Sequence, residues 1–417
     1  MSDALVVPRL LLTGGAIGGG PVQSILFQEG RVDALGPDAE RQATEGSVER
    51  LDLTGYVLLV APAEPHAHLD KALLGQRTDN PSGDLLGAIN ATRAAYSTMT
   101  AADVYERARR SLEIAVRRGY TSVRTHVTCE EGLGLDALRA LVRLREEVRD
   151  SLDLQVFAMA GYPMTGREGA QNRDLLCGAL DSGADGVGGA PWLDPHASLA
   201  VAMLVRMAAE RDLMIDLHLD ETLDPTSLTV RTFAIEVSAH GLGGRASASH
   251  CVSLGQQDAA TARAIAQELA AAGVAIVTLP QTNLYLQGRE FTTGMPRGLT
   301  ALHLLREAGV VVAGGGDNWR DPFNPTSRID PMETASLLVV AAHYSPADAY
   351  DAVSVRAREL MNLTPARFDV GCHTDVLAMK GSSLNDVIAH SSEDRVVIRR
   401  GRVISRTHVV HEIVPRL

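Results

Sequence analysis

The sequence predicts an α/β protein: a (β/α)8 TIM barrel carrying a small β-sandwich formed from both chain termini. Three observations predict it. Between residues 57 and 366, eight short apolar runs alternate with amphipathic helical stretches, which is the arithmetic of that barrel. Both ends of the chain lack the alternation and read as short strands broken by turns. The length of 417 residues exceeds one minimal core but suits a barrel of about 250–300 residues with a smaller domain. The expected boundaries are 1–58 with 367–417 for the composite sandwich and 59–366 for the barrel.

In chain order, Leu10-Leu11-Leu12, then 23–27 and 31–35, are strands separated by Gly-rich or Glu-Gly breaks. A strand over 57–62 opens the barrel and runs into Glu64-Pro65-His66-Ala67-His68-Leu69-Asp70-Lys71. Helical periodicity over 101–118 stops at Gly119, a C-cap residue, and strand 121–127 follows. The same unit then recurs: helix 134–149 with strand 154–159, helix 171–182 with 186–190, helix 196–211 with 214–218, and helix 229–240 with 246–250. Helix 257–272 with 274–278 and helix 298–308 with 310–314 complete the count. From about 367 the pattern returns to strands, at 375–379, 395–398 and 402–405, mirroring the N-terminal segment.

Composition excludes some functions. Apolar content of 45% and charged content of 22% are those of a globular protein. A formal charge of −12 argues against nucleic acid or an anionic membrane as partner, since both require basic patches. No run approaches about 18 apolar residues, and the first residues lack a basic, then apolar leader, so a cytoplasmic protein without a membrane span is expected. Cys129, Cys177, Cys251 and Cys372 show no CxxC spacing and read as reduced thiols. A homo-oligomer is compatible with all of this. Only Lys71 and Lys380 supply amines, which limits any chemistry that needs one.

Barrel enzymes place their chemistry at the C-terminal ends of the strands. Residues two apart on a strand share a side, so His66 and His68 project together, as half of a metal site or simply as two polar residues at a strand end. Strand five ends in His218, with Asp220 and Glu221 beyond it; strand six ends in His250, and strand eight in Gly316-Asp317-Asn318. Singly, His218 reads equally as a hydrogen-bonded core histidine and Asp317 as a turn residue. Their joint placement at four strand ends is hard to obtain from structural need. His66, His68, His218 and Asp317 supply a mixed N/O set for a catalytic Zn²⁺ or Fe²⁺. His250 would then steady the hydroxide generated there, and Glu221 would move protons.

At this point the residues carry a resemblance. The chain resembles the amidohydrolase superfamily, and within it the cytosine-deaminase branch. The matching motifs are Glu64 to Asp70, Val123-Arg124-Thr125-His126-Val127, His218-Leu219-Asp220-Glu221, Ser249-His250, Asn283-Leu284-Tyr285-Leu286-Gln287-Gly288-Arg289, and Gly316-Asp317-Asn318 with Asp321-Pro322-Phe323. They run in order through nearly the whole chain.

The resemblance implies one divalent metal on His66, His68, His218 and Asp317, a proton shuttle at Glu221 and a hydroxide-orienting His250. Binuclear members bridge two metals with a strand-four lysine, and residues 186–192 contain none, so a mononuclear site is expected. The implied reaction is hydrolytic deamination of a small cyclic amidine or N-heterocycle, hydroxide on the metal attacking the amino-bearing carbon. Two alternatives stand beside it: hydrolysis of a ring or exocyclic C–N bond, and a catalytically inactive metal-binding barrel.

Departures bear on the substrate. Cytosine deaminases place a pyrimidine-reading glutamine on strand three, and 158–162 has none. Asn318 stands where the branch has a second acid. Lys71 after His-Leu-Asp is similar to the N-alkylammelide (s-triazine) amidohydrolases, which lack the glutamate supplied here by Glu221. Substrate contacts are expected from Lys71, Gln287, Arg289, Asn318 and Trp319, the last by stacking on a flat ring, with His126 behind the metal ligands.

Overall fold

The computed structural model describes residues 9–44 and 46–412; the leader expectation, which concerns Met1 to Leu5, falls outside them. Residues 63–113 and 122–363 cluster as one compact unit, and the stretches up to 62, 114–121 and from 364 onward as another.

The larger unit is a parallel eight-stranded barrel. Its strands are β1 (Ala63–Ala67), β2 (Ser122–Cys129), β3 (Asp153–Ala160), β4 (Gly186–Gly189), β5 (Met214–Leu219), β6 (Ala246–His250), β7 (Val274–Thr278) and β8 (Val312–Gly314). They pair in sequence order, all parallel. The seam between β8 and β1 closes just past β8, where Ala67 bridges Asp317 and the Asp317 amide donates to the His66 carbonyl at 3.0 Å. Glu64 pins the seam. Its buried carboxylate accepts from the Gly316 amide at 2.9 Å and from the His66 amide at 3.1 Å. The adjacent Gly315 leaves no room for a side chain, since a Cβ there would stand 2.6 Å from Glu64 Oε1 and 2.9 Å from Leu279 Cδ2.

The barrel interior below the site is polar. The guanidinium of Arg124, 1% exposed, stacks 4.4 Å over Phe157 and donates to Gln155 at 2.9 Å and to Ser247 at 3.2 Å. Asp216 lies 3.4 Å from it, so the buried cation has a counter-charge.

The smaller unit is one mixed sheet ordered 402–406, 395–399, 376–380, 56–60, 9–17, 22–28 and 31–35, with 48–52 alongside 9–17. Side chains alternate across it. Leu10 and Leu12 enter one core with Phe27, Val376 and Ile398; Leu11 and Leu26 enter a second, under the helix 37–42.

One element differs from expectation. The apolar run at 57–62 is not the first barrel strand. Residues 56–60 lie in the terminal sheet, antiparallel to 376–380, and β1 is the next stretch, Ala63–Ala67. Two extended segments joined by two residues look like one strand in an apolar pattern, and only the pairing partners separate them. Strand 48–52 and the helices Leu384–His390, Pro280–Leu286, Pro331–Ala342, Pro346–Val353 and Val355–Leu360 are further elements that the pattern did not reveal.

Candidate active site and metal centre

The site stands at the C-terminal ends of the barrel strands. His66 lies within β1 and His68 one residue past it, so both rings reach the same side. His218 Nε2, on β5, is 3.0 Å from His66 Nε2 and 3.1 Å from His68 Nε2. Asp317 Oδ1 stands 3.2 Å from His68 Nε2 and 3.8 Å from His66 Nε2. All four residues are buried, and neither Asp317 carboxylate oxygen accepts a hydrogen bond among the described residues.

The protonation of this cluster follows from its surroundings. Burial, then the Lys71 ammonium, pushes His68 down to about 4, and burial with the neighbouring rings holds His218 well below the usual imidazole range. Burial alone would push Asp317 up, but the facing His68, His250 and His66 outweigh it and hold the carboxyl well below the usual carboxylate range. Neutral imidazoles with converging nitrogens, beside an ionised carboxylate without donors, form a set that asks for a cation. Ligand atoms 2.0–2.1 Å from a tetrahedral ion lie about 3.3 Å apart, close to the separations found here. The residues therefore fit a divalent metal ion.

The shell behind them orients the rings. Ser249 has one hydroxyl hydrogen and gives it to Asp216 at 2.6 Å, so its oxygen accepts from His66 Nδ1–H at 2.9 Å. That arrangement leaves the His66 Nε2 lone pair facing the cluster. His126, on β2, lies 3.5 Å from Asp216 and stacks with its ring centroid 4.1 Å from that of His66. It sits behind the cluster and fills the space over β4, where a Cβ on Gly188 would come within 2.7 Å of His126 Nδ1.

His250 reaches the pocket by a backbone device. It follows the inward-facing Ser249 and would by alternation point away; a φ of 69° turns it in. Asp317 has a φ of 59°, so two candidate site residues hold left-handed backbone. His250 Nδ1 donates to Asn283 Oδ1 at 2.9 Å and lies 3.5 Å from Glu221 Oε1, while its Nε2 faces Asp317 Oδ2 at 4.0 Å. Asp220 anchors the segment that carries Glu221, its buried carboxylate accepting from Ser227 and from the Thr229 and Val230 amides. Burial pushes Glu221 up to about 7, with His250 opposing and Asp317 adding to the rise.

These groups open into one pocket, shared by His68, His218, Glu221, His250, Asp317, Lys71 and Asn318. Lys71 Nζ is 3.1 Å from His68 Nδ1 and 3.4 Å from the Thr128 hydroxyl. Three expected substrate contacts lie elsewhere. Trp319 is 1% exposed, packed beside Gly316 and tied through its carbonyl to the Leu73 amide. Gln287 turns back to donate to the Glu221 carbonyl at 3.1 Å. Arg289 is exposed and folds onto the carbonyl and ring of its own neighbour Tyr285. Asn283, Ser249 and Asp216 received no role from the sequence. Asp216, two residues before His218 on one strand face, was the one whose spacing carried a signal.

The model of the Amidohydrolase family matches residues 57–404. A pterin deaminase of Rhizobium rhizogenes is 34% identical over 358 residues, 83% of this chain and 80% of that protein. An N-isopropylammelide isopropyl amidohydrolase of Pseudomonas sp. is 21% identical over 386 residues, 88% of this chain and 90% of that one. The crystal structure of 5-methylcytosine deaminase from Klebsiella pneumoniae with 5-fluorocytosine superposes with a TM-score of 0.86 at 25% identity, covering 97% and 99% of the two chains.

Proposed function

The chain belongs to the amidohydrolase family, hydrolases of carbon–nitrogen bonds, and from that membership we propose that it hydrolytically deaminates a small cyclic amidine, an N-heterocycle of the pterin class. The observation that carries the reading is that Glu221, His250, His68, His218 and Asp317 face one pocket, the carboxyl of Glu221 pushed by burial toward neutrality. The choice of pterin among heterocycles is supported by the 34% identical relative.

His66, His68, His218 and Asp317 would hold one divalent ion, zinc or iron, with no lysine on β4 to bridge a second. When bound, such an ion acidifies a water molecule and withdraws electron density from the carbon under attack. Glu221, poised near neutral pH, takes the proton of the attacking water and gives it to the ring nitrogen beside the amino-bearing carbon. It then carries the second proton to the departing ammonia, leaving a carbonyl in place of the amine. The Nδ1–H of His250 is committed to Asn283, so Nε2 faces the pocket, and with Asp317 it orients the water and steadies the tetrahedral intermediate. Lys71 Nζ, 3.1 Å from His68 Nδ1 in the same pocket, would supply an ammonium to a substrate carbonyl. Asn318, its side chain held by Asp321 at 2.9 Å, is the other polar contact at that end.

A second reading keeps the site and changes the bond to an exocyclic alkylamine, supported by Lys71 and by the ammelide relative. The deciding experiment measures ammonia release by metal-loaded enzyme on pterins, cytosine, isocytosine, creatinine and aminotriazines. Release from pterin with the ring intact is the expected result. No ammonia from any of them, with one metal per chain, would move the assignment to the second reading.

A further inference from the structure

The pocket has a second polar pole that the chemistry above leaves unused. It stands over the ends of β2 and β3. Glu130, one residue past β2 and 6% exposed, accepts from Arg93 Nε at 2.9 Å and Nη2 at 2.8 Å, and also from the Tyr96 hydroxyl. Arg93 Nη1 donates to the Tyr162 hydroxyl at 3.0 Å, and the guanidinium stacks 4.4 Å over the Tyr162 ring. Arg93, Glu130 and Tyr162 all line the same pocket as Glu221 and His218. The pocket lining also includes the apolar Ile89, Met159, Leu193 and Phe323.

The donor count at this pole decides what it can read. The Tyr162 oxygen accepts from Arg93, so its own hydrogen is left to donate, and Arg93 Nη1 keeps a second hydrogen. The charge of Arg93 is already compensated, bidentately, by Glu130. The pole therefore offers donors without net charge, which suits a neutral acceptor better than an anion. We infer that Tyr162, positioned by the Arg93–Glu130 pair, is a specificity-determining contact that donates to a ring nitrogen or carbonyl on the second ring of a bicyclic substrate. This rests on the deaminase reading for which end of the substrate meets Glu221. In a pterin the amino-bearing pyrimidine ring would lie at the metal end, and a pyrazine nitrogen would meet Tyr162. Isocytosine is that pyrimidine ring alone and lacks the second-ring acceptor that Tyr162 would meet.

The test is Tyr162→Phe, which keeps the ring under Arg93 and removes only the hydroxyl, assayed with pterin and isocytosine on metal-loaded enzyme. The KM for pterin should rise about five- to ten-fold, the size of one neutral hydrogen bond, with kcat within two-fold and isocytosine unaffected. An unchanged KM for pterin, or an equal loss on both compounds, overturns the inference. If neither compound is deaminated, the deaminase reading fails, and titration calorimetry of pterin against both enzymes still decides. A Kd weaker by the same factor in the variant supports the contact; an equal Kd, or no binding of pterin to the unmodified enzyme, overturns it.

Discussion

At the scale of residues, Glu221 combines two properties that a proton carrier needs and a structural carboxylate does not. It is buried enough for its pKa to rise to about 7, yet it lines the pocket, with His250 Nδ1 3.5 Å from its Oε1. Glu221→Gln preserves the shape and removes the proton exchange. Its kcat should fall by about 10²–10⁴ while metal content stays at the unmodified level. Ammonia release with metal analysis of the same sample measures both, and an unaltered kcat removes Glu221 from the mechanism. Ser249 acts one step back, by forcing His66 to present Nε2. Ser249→Ala frees that ring, so metal affinity measured against a competing chelator should drop about ten-fold, the usual cost of losing such a partner. Equal affinity would show that Asp216, 3.6 Å from the same nitrogen, suffices alone.

At the scale of elements, the seam between β8 and β1 is where the barrel depends on one side chain. Glu64 receives amides from both sides of it, and a Cβ on Gly315 would come within 2.6 Å of the same carboxylate. Glu64→Ala leaves these buried N–H groups without that acceptor, at a cost of about 3 kcal/mol. Urea unfolding reads this as a lower midpoint, and a midpoint within error of the unmodified chain would mean the seam closes on packing alone. The same element explains the one misplaced strand. The run at 57–62 is as apolar as a barrel strand should be, but residues 56–60 spend that character on the terminal sheet. β1 is short and carries Glu64 and His66, polar residues that hide a strand from any apolar pattern. Gln287 and Trp319 stand outside the pocket lining for a related reason. Both lie in loops at the right end of the barrel, but whether a loop side chain enters the pocket or packs beneath it depends on neighbours remote in sequence.

At the scale of the whole molecule, stability in alkali is expected to follow Tyr56. Burial, then the hydrogen bond to Asp394, pushes its phenol up to about 12. A group whose pKa is raised by folding contributes fully below its unfolded value, near 10, and loses that contribution as pH rises toward 12. The unmodified chain should therefore lose stability between pH 10 and 12 relative to Tyr56→Phe, which has no phenol to ionise. Urea midpoints of both proteins across that window check this, and parallel curves would show that Tyr56 plays no part. No helix among the described residues is long and apolar enough to cross a membrane, in keeping with the absence of any long apolar run.

The sequence by itself determined seven of the eight barrel strands, the pairing of His66 with His68, and the arrival of His218, Glu221, His250 and Asp317 at or just past strand ends. All of these are local facts, because a strand's period and its terminal residues are written in consecutive positions. Tertiary structure alone decided how those ends are held. Ser249 meets His66 across 183 residues of chain, Arg93 meets Glu130 across 37, and Glu64 closes on Gly316 across 252. Buried polar groups must find partners wherever the fold brings them together, and spacing along the chain does not encode which partner that will be.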